Sequence, residues 1–173
     1  MKNANLGMQF EELINRANMT YALEKKAIIQ KVPTDWRVVR SFNPMTKKRE
    51  IVSAYPATKS TVDYIGIANG RPIAFDAKST ENKTRFALQN IEAHQLKFLD
   101  EWSAQGGKAF FLVEFVFHKQ VFLMTLEKFV QWASKNDRAS IPYHFFNDEC
   151  KEVKQEGTNV LHYLKGILPS DEV

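Results

Sequence analysis

Cysteine is almost missing from this chain of 173 residues: Cys150 stands alone. One thiol cannot close an intrachain disulfide or supply a thiolate zinc site, so neither staple enters the fold. Long apolar runs are missing too. None approaches the roughly 20 residues that a membrane-spanning helix needs. The opening stretch MKNANLGMQFEEL lacks the apolar region of a signal peptide. Nor is there a compositional extreme, with 44% hydrophobic and 25% charged residues and a net charge of +4. Those are ordinary globular values that indicate neither disorder nor a membrane partner. What these absences leave is a cytoplasmic globular protein, long enough for a single domain with a sizeable core.

The positive charge is unevenly placed. Between Val32 and Ser60 lie Arg37, Arg40, Lys47, Lys48, Arg49 and Lys59, against only Asp35 and Glu50. This one segment matches the net charge of the whole chain. A concentrated basic segment is better evidence for a nucleic-acid partner than a mildly basic total.

Apolar positions Phe10, Leu13, Ile14, Ala17 and Tyr21 fall three and four apart, which predicts an amphipathic helix from Leu6 to about Leu23. AIIQKV reads as a short strand. WRVVRSF and REIVSAY read as two strands around the turn-forming NPMTKK, giving a basic hairpin, residues 32–60, that is short of core residues and expected to project. A second helix is expected through about Gln105, closed by Gly106-Gly107. KAFFLVEFVF and QVFLMTL read as a buried hairpin, with Thr125 capping a helix over LEKFVQWASKN. NVLHYLKGIL is expected to form a last short helix. The order of elements predicts an α/β or α+β fold around a central mixed sheet, with helices flanking it.

The stretch STVDYIGIANGRPIAFDAKST carries the chemistry. Asn69-Gly70 between alternating apolar runs is a strong hairpin signal, because both turn residues need positive φ. With that turn, Asp63 falls opposite Asp76 and Thr61 opposite Lys78, all on one face. Both pairs fall at non-hydrogen-bonded positions, where Cα atoms are about 4.5 Å apart. Facing carboxylates repel, and burial adds a desolvation cost. A divalent cation between them removes both problems, and oxygen ligands favour Mg²⁺ or Mn²⁺. A metal with a lysine beside an anionic ester suits phosphodiester hydrolysis. A surface ion pair of Asp76 with Lys78 is the plainer alternative. Leu88, Ile91, Gln95, Phe98 and Trp102 form a helical stripe, so Gln95 sits among apolar residues and needs a partner, backbone or metal site. Glu11, beside Phe10, is a further candidate, on a helix face where glutamates are commonly solvated.

Together these motifs resemble the RecU family of Holliday-junction resolvases, within the PD-(D/E)-x-K nucleases. STVDYIG, FDAKST and NKTRFALQNIEAHQ carry the resemblance, with NLGMQFEELIN, AIIQKVPT and SAYPATKSTVD supporting it; it covers roughly Asn5 to Phe115. It implies a restriction-endonuclease-like core in a single nuclease domain, 1–173, with the basic hairpin inserted as a stalk. It places Thr61, Asp63, Asp76 and Gln95 at magnesium-site positions and Lys78 at the lysine that stabilises the transition state. Glu11 aligns with a glutamate of the opening helix. Asp76 stands where the family usually has glutamate, which retracts the carboxylate by one methylene. The implied partners are four-way junction DNA, a second copy of the chain in a homodimer, and a recombinase, which some members regulate. Arg37, Arg40, Lys47, Lys48, Arg49, Tyr55 and Lys59 on the hairpin, with Lys83 and Arg85 beyond it, are the candidate DNA contacts. Trp36 and Phe42 lie among the hairpin's charges and are candidates for stacking on bases.

The expectation is therefore a Mg²⁺-dependent endonuclease that resolves Holliday junctions by paired nicks in recombination and repair. Two rivals stand beside it: a less selective duplex or flap nuclease of the same class, and a junction-binding protein that does not cut.

Overall fold

The computed structural model describes residues 2–33, 36–56 and 61–169. Helix α1 (Lys2–Leu23) leads into strand β1 (Ala27–Lys31). Strands β2 (Trp36–Asn43) and β3 (Lys48–Pro56) form a hairpin, followed by β4 (Tyr64–Ala68) and β5 (Arg71–Thr80). Then come β6 (Arg85–Ala87), α2 (Ala93–Ala104), β7 (Lys108–Phe115), β8 (Gln120–Thr125), α3 (Leu126–Lys135), β9 (Ser140–Pro142), α4 (Tyr143–Glu149) and β10 (Lys151–Val153).

Six strands form one sheet in the order β1-β4-β5-β7-β8-β10. β5 and β7 run parallel, with Asp76 beside Phe111 and Lys78 beside Val113. The other pairings in this sheet are antiparallel. The sheet is therefore mixed, as expected. The parallel pair needs a crossover, and α2 supplies it.

Alternation along the central strands fills both sides of the sheet. Phe75, Phe110 and Leu112 face α1, where Phe10, Ile14, Ala17 and Tyr21 present their stripe. Ala74, Phe111, Val113 and Phe115 face the other way, against Leu99, Phe129, Trp132 and Phe146. A strand buried on both faces must be apolar throughout, which is why KAFFLVEF carries so few polar residues. Each large side chain removed from water here stabilises the fold by about 1.5–3 kcal/mol. Asn69 and Gly70 have φ of 45° and 73°, the paired positive values that the two-residue turn requires. Thr125 caps α3 by accepting the N–H of Lys128.

Two expected helices differ. The second begins only at Ala93, so Leu88 and Ile91 precede it. Leu88–Asn90 is a 3₁₀ turn, held because Leu88 N–H donates to Ala139 O across the small β6–β9 sheet. NVLHYLKGIL forms no α-helix, and only Leu164–Gly166 makes a 3₁₀ turn. The hydroxyl of Tyr21 donates to Leu161 O and accepts from Leu164 N–H. Backbone groups that a helix would have paired are satisfied by this side chain, while Leu161, Tyr163, Leu164 and Leu168 enter the core beneath α1.

The β2–β3 hairpin is a separate two-stranded sheet, exposed along almost its whole length. Its register shifts between Val39 and Arg40. By alternation, one face gathers Trp36, Val38, Phe42 and Ile51 with Arg40 and Arg49. The other gathers Arg37, Ser41, Lys48, Ser53 and Tyr55. Among the described residues, no helix is long and apolar enough to cross a membrane.

Candidate active site

The β4–β5 ladder keeps the register set by the Asn69-Gly70 turn and ends at Tyr64 opposite Phe75. Asp63 lies one residue beyond, tied to β1 because its carbonyl accepts the N–H of Val32. Its side chain turns toward β5, where Asp63 Oδ2 accepts the N–H of Ala77 at 2.9 Å. Asp63 N–H in turn donates to Asp76 Oδ1 at 3.2 Å. The two aspartates are thus laced together as the hairpin predicts. The opposition of Thr61 to Lys78 is not part of the ladder: Thr61 is exposed, in the bend before β4.

Asp76 and Lys78 share the α2 face of β5. Asp76 is fully buried, and Lys78 Nζ stands 2.5 Å from Asp76 Oδ2. This ion pair holds the buried Oδ2. Burial pushes the Asp76 carboxyl up to about 7, the charge of Asp63 adds to the rise, and Lys78 opposes it.

Gln95, buried on α2, joins the two. Its Nε2 donates to Asp76 Oδ1 at 2.9 Å, and its Oε1 accepts from Lys78 Nζ at 3.0 Å. Oε1 also accepts the N–H of Glu92 at 3.2 Å, while the Glu92 side chain accepts the N–H of Gln95. This reciprocal capping box starts α2. A backbone N–H can only donate, so the amide of Gln95 is fixed with its oxygen toward Glu92 and Lys78 and its nitrogen toward Asp76. The sequence marks Gln95 by its place in an apolar stripe; the part played by Glu92 has no comparable signal there.

Glu11 belongs to α1, on the opposite face of the sheet from Asp76 and Lys78. Its carboxylate pairs with Lys31 of β1 at 2.5 Å, and its carbonyl accepts from the Tyr64 hydroxyl at 3.3 Å. Lys31 is a partner that sequence reading does not single out. Arg37, Arg40, Lys47, Lys48, Arg49 and Tyr55 are exposed on the hairpin, and Lys83 and Arg85 are exposed just past β5. Lys59 lies outside the described residues.

Among the described residues no three His, Cys, Asp or Glu side chains converge. A hard ion that keeps much of its water is satisfied by one or two carboxylates with a phosphate. The buried Asp76 carboxylate beside Asp63 fits such an ion, because two neighbouring carboxylates carry more negative charge than the single ammonium of Lys78 offsets.

The mixed sheet flanked by helices thus brings paired aspartates and a lysine together at the end of its central hairpin. The family model described as Recombination protein U matches residues 5–168, and the chain belongs to that family. The Holliday junction resolvase RecU of Pediococcus pentosaceus is 34% identical over 93% of this chain and 82% of its own. The Holliday junction resolvase RecU of Levilactobacillus brevis gives the same identity and coverage. That of Geobacillus kaustophilus is 36% identical over 80% of this chain and 71% of its own. Among solved structures, the Holliday junction resolvase Hjc of Archaeoglobus fulgidus aligns with a TM-score of 0.45 at 10% identity, over 82% of this chain and 92% of that one.

Proposed function

We propose that this chain is a Mg²⁺-dependent endonuclease that resolves four-way DNA junctions by paired nicks during recombination and repair. Mn²⁺ is the expected substitute. The observation that carries this reading is the buried Asp76 carboxylate, set against Asp63 and Lys78 at the end of the central hairpin. Membership of a family whose relatives bear the name Holliday junction resolvase supports the choice of substrate.

Asp63 and Asp76 hold the metal, which when bound lowers the pKa of a water and polarises the phosphoryl oxygen. Lys78 stands beside Asp76 with its side chain partly exposed, placed to meet charge developing on the phosphate. Gln95 acts through these two, holding Asp76 Oδ1 and aiming Lys78, because its own oxygen is already engaged. Thr61 is left to the outer water shell. Glu11, paired with Lys31, sets the position of Tyr64 under β4 and touches neither carboxylate.

The hairpin serves two ends. Its basic residues suit phosphates, and selectivity would come from shape, not base reading. The face that carries Trp36, Val38, Phe42 and Ile51 between Arg40 and Arg49 is exposed among the described residues, as at surfaces made for a partner. A second copy packed there gives a homodimer with two sites, one for each strand to be nicked.

The test compares Mg²⁺-dependent cutting of a synthetic four-way junction and of the same sequence as linear duplex. Paired nicks in the junction, with the duplex intact, is the expected result. Equal cutting of both would make it a general nuclease of its class, and binding without cutting would make it a junction-binding protein.

A further inference from the structure

The ends of β5 and β7 lead into two short loops that lock together just past the site. On the face that carries Asp76 and Lys78, the parallel register continues to Thr80 beside Phe115. At about 3.3 Å per residue that pair lies roughly 7 Å beyond Lys78. The loop after β5 is shaped by Asn82, whose Oδ1 accepts from Thr84 N–H and Arg85 N–H. The loop after β7 is the 3₁₀ turn Val116–His118. His118 Nε2 lies 2.7 Å from Lys83 O, and a carbonyl only accepts, so Nε2 carries the proton. The imidazole stacks on Tyr143 at 4.0 Å and 14°, and the edge of Phe115 meets it from below. Against this rigid support Phe117 leaves its ring 56% exposed, with Lys83 Nζ 3.9 Å from the ring centroid.

An exposed aromatic on a braced turn is out of place as core packing. The carboxyl ends of parallel strands are where ligands of α/β sheets bind. Here a ring and the ammonium over its face stand on the loops that follow β5 and β7, with Arg85 two residues from Lys83 and Lys119 two residues from Phe117 in sequence.

We propose that Phe117 and Lys83, on loops that His118 holds together, form a second nucleic-acid contact, which grips the cut strand within about three nucleotides of the scissile phosphate. The ring of Phe117 receives a base or deoxyribose face. Lys83 leaves the ring for the neighbouring phosphate. His118 touches no DNA and positions both by holding the two loops together. The inference rests on the functional reading above and adds a strand contact at the metal site, apart from the hairpin.

The test uses the Asp63→Asn protein bound to a four-way junction, with 5-iododeoxyuridine placed singly at the positions around the cleavage site that the wild type defines. Long-wave irradiation links this base to an adjacent aromatic side chain, and the linked residue is mapped. The expected result is a link to Phe117 from at least one position within three nucleotides. In the cutting-competent protein, Phe117→Leu should raise KM by about tenfold with kcat nearly unchanged, as the loss of one stacked base predicts. Phe117→Trp should restore it. The ring is exposed, so a melting temperature equal to the wild type is expected for both. If links form only to Trp36, Phe42 or Tyr55, or if Phe117→Leu leaves KM within twofold, this contact does not exist. Those results leave the resolvase reading intact, because it requires only that the wild type bind and cut. A wild type that does not bind the junction overturns both.

Discussion

The backbone N–H of Asp63 donates to the side chain of Asp76, and the Asp63 carboxylate is held in turn by the N–H of Ala77, next along β5. Main-chain donors thus bring the two acids together. Burial raises the Asp76 carboxyl to about 7, and the remaining repulsion from Asp63 adds to that rise. Asp63→Asn should remove that repulsion and, with it, one of the two metal carboxylates. Cutting should be lost while junction binding stays close to wild type. A mobility shift paired with a cutting assay in Mg²⁺ checks this, and cutting at the wild-type rate would refute the assignment.

The same relationship makes stability depend on pH. The Asp76 carboxyl is raised from 3.8 to about 7 in the folded, metal-free chain. The fold therefore binds its proton more tightly than the unfolded chain does. Its contribution is complete below about pH 4 and is lost as the pH rises through about 7, amounting to a few kcal/mol at the upper end. In EDTA, Asp76→Asn should stabilise the protein at pH 8 and have little effect at pH 4. In Mg²⁺ the wild type should recover at pH 8, because the ion takes over the charge. Melting temperatures of both proteins at both pH values decide the matter. No gain from Asp76→Asn at pH 8 would place the cost elsewhere.

Lys78 divides its contacts between Asp76 and Gln95. Lys78→Ala should slow turnover by on the order of 10²–10³ and weaken binding far less, as expected for a group that acts on charge developing in the transition state. Gln95→Ala removes a buried partner from Asp76, Lys78 and the start of α2 at once. It should lower both stability and turnover, with a melting temperature down by several degrees. Equal losses of binding and turnover in Lys78→Ala would make the lysine a phosphate clamp instead.

Much of this arrangement is legible in the sequence because it rests on short-range rules. Asn69-Gly70 fixes the register of β4 and β5, and that register sets Asp63 beside Asp76. Period-two alternation puts Lys78 on the same face. What escapes is what only tertiary contact decides. The start of α2 depends on Glu92 and Gln95 capping each other, and on Leu88 being pulled into the β6–β9 pairing. The C-terminal segment reads as a helix because its apolar spacing is helical, yet Tyr21, far away in sequence, takes its backbone groups. Glu11 reads as a site residue by alignment, while its pairing with Lys31 depends on how α1 crosses β1.

The hairpin offers the sharpest test of junction selectivity. Lys47, Lys48 and Arg49 are exposed at and just past its turn, away from the metal carboxylates. The turn itself is braced: Asn43 Nδ2 and the Thr46 hydroxyl both donate to the Glu50 carboxylate, which those bonds hold below its usual range. A fixed tip presents its cations in one geometry, which suits the centre of a junction, where phosphates of several strands converge. Replacing all three cations with glutamine should weaken junction binding and flatten its salt dependence. Every phosphate that the protein no longer neutralises lowers the log–log slope by about 0.9 on duplex DNA, so three such phosphates predict a change of about 3. Junction phosphates are less regularly spaced, and about half that change would still agree. Turnover on DNA that remains bound should persist, because Asp63, Asp76 and Lys78 are untouched. Salt titrations of wild type and triple variant, on junction and on linear duplex, separate the cases. Weakening confined to the junction assigns selectivity to the hairpin. Equal weakening on both substrates makes the hairpin a general DNA grip, and moves the choice of substrate to the spacing of the two sites in the proposed dimer.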